Sequence, residues 1–427
     1  MFDLIVKGGT LPDGRVADIG IRGDRIAEIG RIDAAAGRVI DATGDLVSPP
    51  FVDPHFHMDA TLSYGTPRVN ASGTLLEGIA LWGELRDIAT VDQMIDRAVS
   101  YCDWAASMGL LAIRTHVDTT PDHLRGVEAM LEVRRRVADY IDLQLVAFPQ
   151  DGLYRTATGR DNVIRALDMG VDVVGGIPHF ERTMTDGAES VRDLARIAAE
   201  RGLMLDLHCD ETDDPHSRHV EVLAAEVTRH ALGARAAGSH LTSMHSMDNY
   251  YVSKLLPLIA ESGMCAIPNP LINITLQGRH DTFPKRRGLT RVKEMQALGI
   301  PVGWGQDCVL DPWYSLGTAD MLDVAFMGLH VAQMTHPDEM RRCFDMVTNV
   351  NAAIMGLDDY GLRVGARASL IVIDAGDPVE ALRLRPDRLA VISRGKLIAE
   401  RQRNDARLSL PGRPDSVRRR HRPEPAA

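Results

Sequence analysis

Short apolar runs separated by glycine turns occupy both ends of the chain, and a long alternation of apolar and helix-compatible stretches lies between them. Near the N-terminus, Leu4-Ile5-Val6, Ile19-Gly20-Ile21 and Ile26-Ala27-Glu28-Ile29 read as strands. Gly23-Asp24 reads as a hairpin turn, because both residues tolerate positive φ. Near the C-terminus, Leu370-Ile371-Val372-Ile373, Leu389-Ala390-Val391-Ile392 and Leu397-Ile398 have the same character. Residues 1–50 and 361–405 are therefore expected to form one small β-sandwich domain, a pairing that the pattern alone leaves open.

Between them, apolar strand candidates end near His57, His116, Phe148, Ile177, His208, His240, Pro268 and Gly305. Helical stretches follow, such as Val91 to Met108, and Asp122 to Ala138 opening on Thr120-Pro121. Eight strand–helix units in about 300 residues match the α/β class of a (β/α)8 TIM barrel, expected over residues 51–360. A doubly wound open sheet would carry a glycine-rich phosphate turn after its first strand, and the sequence has none there. Residues 406–427, rich in Arg and Pro, predict a flexible or subunit-contacting tail.

Composition narrows the function. The formal charge of −11 over 427 residues argues against nucleic acid as a partner. No run of 18 apolar residues predicts a membrane span. The segment Met1 to Lys7 lacks the form of a signal peptide. Five cysteines, odd in number and without a C-x-x-C pair, argue against a disulfide scaffold or a cysteine zinc site. A cytoplasmic enzyme with reduced thiols is the expectation.

The candidate chemistry sits at strand ends. In Asp53-Pro54-His55-Phe56-His57, residues i and i+2 of a strand point to one side, so His55 and His57 can face one metal ion. His208 closes the run Leu203 to Leu207, and Glu211 follows three residues on. His240 closes another apolar run, and Asp307 ends the eighth. A lone strand-end histidine is more often structural than a ligand. Agreement among four strand ends, at the barrel face where such enzymes place their sites, outweighs that reading. His116 is expected to support the metal site from behind. His179, His216 and His245 are expected to be structural or solvent-facing. Cys209, with no basic partner in view, is expected to be packing rather than a nucleophile.

An H-x-H after the first strand, His after the fifth and sixth, and Asp after the eighth resemble the amidohydrolase superfamily. Longer strings resemble bacterial cytosine deaminases: Arg114-Thr115-His116-Val117-Asp118, Val146-Ala147-Phe148-Pro149-Gln150, His208-Cys209-Asp210-Glu211, Asn269-Pro270-Leu271-Ile272-Asn273 and Asp311-Pro312-Trp313-Tyr314. The resemblance implies one divalent metal, Fe(II) or Zn(II), on His55, His57, His208 and Asp307. A bridging lysine after the fourth strand is missing from Val173 to Ile177, so a second metal is not expected. It further implies that Gln150 reads the pyrimidine amide edge, Glu211 shuttles protons, and His240 polarises water. Phe148 and Trp313 would wall the pocket, and Leu75 joins the substrate-binding set. A homo-oligomer, with a hexamer among the options, is also implied.

The chemistry agrees with those roles. Hydrolysing an exocyclic amine at neutral pH calls for hydroxide, and a divalent metal lowers the pKa of bound water from 15.7 towards about 7. Glu211 can take the water proton and deliver it to ring N3, while Asp307 passes a second proton to the departing ammonia. A primary amide such as Gln150 offers a donor and an acceptor together. The sequence departs from the cytosine deaminase pattern at Cys308, where that pattern has a second aspartate, and at Gln306, where it has a histidine. Cysteine behaves as a small hydrophobe, so acceptance of 5-methylcytosine is expected. The competing readings are an amidohydrolase acting on a triazine, isocytosine or isoguanine, and a catalytically dead barrel with a binding or structural role.

Overall fold

The computed structural model describes residues 1–403 and 405–417. Five N-terminal strands come first: β1 (Phe2–Thr10), β2 (Val16–Arg22), β3 (Arg25–Gly30), β4 (Ala36–Asp41) and β5 (Leu46–Ser48). Seven parallel strands follow: β6 (Phe51–Phe56), β7 (Leu110–Asp118), β8 (Asp142–Phe148), β9 (Val173–Gly176), β10 (Met204–Cys209), β11 (Ala236–His240) and β12 (Cys265–Ile267). The chain then returns to the first sheet with β13 (Leu370–Ile373), β14 (Arg388–Ser393) and β15 (Lys396–Glu400).

The open question of the two β ends is settled by β5. It pairs with β13 through Ile371↔Ser48, Val372↔Val47 and Ile373↔Leu46, joining both chain ends in one eight-stranded sheet. Leu4, Val6, Ile19, Ile21, Val47, Leu370, Val372 and Ile392 form its core. The expected turn joins β2 to β3, with Gly23 at φ 57°.

Strands β6 to β12 make seven eighths of a barrel. All nine residues of β7 are buried, as expected for a parallel strand covered on both faces. The expected eighth strand is irregular. Residues 301–307 reach one side through Ala266 N to Pro301 O (2.9 Å) and Gly303 N to Ala266 O (3.0 Å). They reach the other through Asp307 N to His55 O (2.8 Å) and His57 N to Asp307 O (2.9 Å). The segment thus closes the barrel by isolated bridges. At Gly305 a side chain would run into Asn269 and His55, so close approach requires glycine there.

Helices pack outside. α1 (Leu75–Ile88) starts at Thr74, whose side chain accepts from Glu77 N, and α2 (Val91–Ser107) starts with a Thr90/Gln93 capping box. α2 buries Met94, Ile95, Ala98, Tyr101, Cys102 and Ala105, a helical stripe facing the barrel. The next helix, α3, covers Arg125–Val137, so Thr120-Pro121 does not open it. Thr119 N instead donates to Phe148 O (2.8 Å) and Thr120 N to Asp118 Oδ1 (2.8 Å), which prolongs the loop at the barrel rim.

Of the tail expected from residue 406, β16 (Ala406–Arg407) pairs antiparallel with β17 (Ser416–Val417). Residues 418–427, including Arg418-Arg419-Arg420, lie outside the described residues. Among the described residues, no helix is long and apolar enough to cross a membrane.

Candidate active site

The C-terminal strand ends bring His55, His57, His116, His208, His240 and Asp307 together. The backbone bonds around Asp307 place that residue between His55 and His57. Asp307 Oδ1 is 3.4 Å from His57 Nε2 and 3.7 Å from His55 Nε2. His57 Nε2 is 2.9 Å from His208 Nε2. Register carries His208 beside Ser239 and Cys209 beside His240. His240 Nδ1 lies 3.4 Å from Glu211 Oε1 and 3.7 Å from Asp307 Oδ2. Both His240 (φ 68°) and Asp307 (φ 70°) hold the left-handed backbone that side chains rarely adopt. Such conformations are held in place by surrounding structure and cluster at functional sites.

The donor set fits a cation. Burial drives the imidazoles of His55, His208 and His240 well below the usual histidine range, and His57 to about 3, leaving neutral nitrogens with lone pairs. His55 Nε2, His208 Nδ1 and both ring nitrogens of His116 are buried without a hydrogen-bond partner. Two ligands held about 2.1 Å from one ion stand roughly 3.4 Å apart at a tetrahedral angle, close to the separations above. Overlapping trios of donor atoms include His55–His57–Asp307, His55–His208–His240 and Glu211–His240–Asp307. Burial also raises the Glu211 and Asp307 carboxyls well above the ordinary range, with the Asp307 charge adding to the effect on Glu211. A cation among them would offset that cost.

A tight cleft opens on this cluster. Its walls are His57, His208, Glu211 and Asp307 on the polar side, with Gln150, Leu75, Ile177, Ile272, Leu276, Cys308 and Trp313 around the rest. The expected substrate contacts Gln150, Leu75, Cys308 and Trp313 are thus at the cleft. Phe148 is not among its walls. It stacks on His208 with ring centroids 4.1 Å apart and backs the imidazoles. Cys308 is buried, its Sγ 3.4 Å from Asp307 Oδ1, and burial raises its thiol well above the ordinary range. Trp313 lies over Gly78 of α1, where any side chain would overlap its ring. Gln306 is buried, its backbone N–H donating to Asp53 Oδ1 (3.0 Å).

His116 is fully buried against His55, centroids 4.2 Å apart. His179 donates towards His208 O at 3.1 Å. His216 is exposed, whereas His245 is largely enclosed and pairs with Asp213 at 3.5 Å. Burial lifts the Cys209 thiol well above its usual range, in keeping with packing.

Several polar residues escaped the sequence reading. Asn273 Nδ2 donates to His240 Nδ1 (2.9 Å), and its Oδ1 accepts from Asn269 N (3.0 Å). Asp53 is wholly buried, which pushes its carboxyl up to about 8. Arg114, Asp206 and Ser239 form a buried chain ending on His55. Asp53 and the Asn pair stood in strings already noted. The buried chain joins three strands and had no local signal.

A model of the amidohydrolase family matches residues 38–400. The fold superposes on 5-methylcytosine deaminase from Klebsiella pneumoniae liganded with 5-fluorocytosine, at a TM-score of 0.92 and 41% identity. The match covers 95% of this chain and 99% of that one. N-isopropylammelide isopropyl amidohydrolase of Pseudomonas sp. (strain ADP) is 28% identical over 93% of this chain and 98% of its own length. Pterin deaminase of Rhizobium rhizogenes is 30% identical, over 91% and 87% respectively.

Proposed function

We propose, from the premise that this chain belongs to the amidohydrolase family, that it hydrolyses the exocyclic amine of free pyrimidine bases. Cytosine and 5-methylcytosine would give uracil and thymine, with ammonia released. The observation that carries the reading is the cleft itself, which sets Gln150, Glu211 and Asp307 around a space closed by Trp313 and Cys308. The likeness to an enzyme liganded with 5-fluorocytosine supports it.

His55, His57, His208 and Asp307 would hold one divalent ion, which when bound supplies an activated hydroxide. Three imidazoles and a carboxylate suit Fe(II) and Zn(II) alike. Glu211, its carboxyl raised by burial, takes up a proton and delivers it to ring N3. Asp307 passes the second proton to the leaving amine. His240 stays neutral, because burial disfavours its cation; Nδ1 accepts from Asn273, which leaves Nε2–H as the donor towards the developing charge. Gln150 pairs with the amide edge of the ring, and Trp313 and Leu75 cover its face. Cys308 keeps its proton and offers a small apolar surface to a C5 substituent, where a carboxylate would demand hydration. The reading extends to a homo-oligomeric enzyme working in the cytoplasm.

The test is amine release by the metal-loaded enzyme: ammonia from cytosine, 5-methylcytosine, isocytosine and isoguanine, and isopropylamine from N-isopropylammelide. Turnover of the first two supports the reading. Turnover confined to the purine or triazine overturns it.

A further inference from the structure

We propose that Asp206, acting through Ser239, fixes the tautomer of His55 so that its Nε2 lone pair faces the centre of the site. Ser239 and Asp206 are then positioning residues for the metal, and the inference rests on the metal-site reading above.

Arg114 is buried in the barrel interior, donating to Asp206 Oδ2 (2.9 Å), Gln144 Oε1 (2.7 Å) and Ile354 O (3.1 Å). A guanidinium does not lose its proton in a protein, and a buried one needs a counter-charge. Asp206 is therefore a carboxylate and can only accept. Its Oδ1 takes the single hydroxyl proton of Ser239 at 2.7 Å. Ser239 Oγ, with its proton spent, must accept from His55 Nδ1 at 2.8 Å. The His55 proton is thereby held on Nδ1, and Nε2 carries the lone pair. That nitrogen has no hydrogen-bond partner and stands 3.7 Å from Asp307 Oδ1. By contrast, His208 Nδ1 has no partner at all. His55 is thus an imidazole whose ligating nitrogen the fold selects before any ion arrives.

Changing Asp206 reverses the chain's polarity. In Asp206→Asn, Arg114 must meet the amide oxygen, which turns the amide NH2 towards Ser239. Ser239 then accepts from the amide and donates to His55 Nδ1, moving the imidazole proton to Nε2. Ser239→Ala only deletes the relay and leaves the tautomer free.

The test is the zinc dissociation constant of the folded full-length protein, read by chelator competition beside the apo-protein Tm. Loss of such an outer hydrogen bond typically weakens metal affinity about 10–100-fold. Ser239→Ala should weaken zinc binding about 10-fold, and the nearly isosteric Asp206→Asn more strongly. The double variant should return to the Ser239→Ala value. A role in packing alone would lower the Tm while leaving zinc affinity as in the wild type, and that result overturns the proposal. If Asp206→Asn does not fold, Ser239→Ala, which deletes one atom, decides by the same reading. A wild type that itself fails to retain zinc and iron(II) would sink the metal site, a distinguishable outcome.

Discussion

At the C-terminal rim of the barrel, His55 Nε2, His208 Nδ1 and both nitrogens of His116 are buried without partners. In the end sheet, Leu4, Ile19, Ile21, Val372 and Ile392 pack on one another instead. Two aspartates make the contrast sharper. Asp18 of the end sheet accepts from Gly8 N (2.8 Å) and Ile32 N (2.9 Å), one bond to each oxygen. Asp53 at the barrel rim keeps one oxygen unpartnered. Positive φ falls on side chains at Asp210, His240 and Asp307 of the rim; in the end sheet it falls on Gly8 and Gly23, and on Arg394 in the β14–β15 turn. An unsatisfied buried polar group costs about 1–3 kcal/mol, so the rim holds a fold-wide expense that only a bound cation and substrate would repay. Among the described residues, none of the unpartnered buried side-chain atoms lies in β1–β5 or β13–β15.

At the rim, Glu211 is the residue whose loss should hurt turnover most. Glu211→Gln should lose about 10²–10⁴-fold in turnover, the usual contribution of a positioned acid/base, while keeping its metal and its Tm. Wild-type rates in a metal-replete preparation, measured by ammonia release, would remove Glu211 from the mechanism. The opposite result is expected in the end sheet. Ile19→Ala deletes fully buried methyl groups and should cost about 2–5 kcal/mol of stability. Denaturant unfolding would show that loss, with zinc affinity of the folded protein unchanged.

How far the sequence revealed each region follows from the range of the signal. His55, His57, His208, His240 and Asp307 could be read because each ends an apolar run, and strand alternation aims i and i+2 together. The β13–β5 pairing was ambiguous because strands of three and four residues carry little register information. The eighth strand looked regular in the pattern from Val302 to Asp307, yet Gly303 and Gly305 leave it bound only by bridges. Phe148 carried no mark to say that it would back His208 rather than line the cleft. The Arg114–Asp206–Ser239 chain depends on three strands meeting inside the barrel, which no local window contains.

Within the rim, Cys308 tests how the cleft chooses its substrate. Cys308→Asp should shift kcat/KM from 5-methylcytosine towards cytosine by about 10–200-fold, the range for one methyl-sized group. Equal handling of 5-methylcytosine by variant and wild type would show that Cys308 does not discriminate. Smaller still is Gly78→Ala. Helix propensity alone predicts stabilisation by about 1 kcal/mol. Overlap with Trp313 predicts no gain, a rise in KM and altered tryptophan fluorescence. A raised Tm with unchanged KM would mean that Gly78 does not set the Trp313 wall.

The unsatisfied rim should act as a metal-dependent site for hydrolysing a pyrimidine amine. The most direct test incubates stripped and metal-reloaded enzyme with 5-methylcytosine in ¹⁸O-labelled water, following thymine by mass spectrometry and ammonia in parallel. Thymine carrying one ¹⁸O and an equal amount of ammonia should form, and only after reloading. Undiminished turnover by stripped enzyme, or no thymine from reloaded enzyme, would contradict that role.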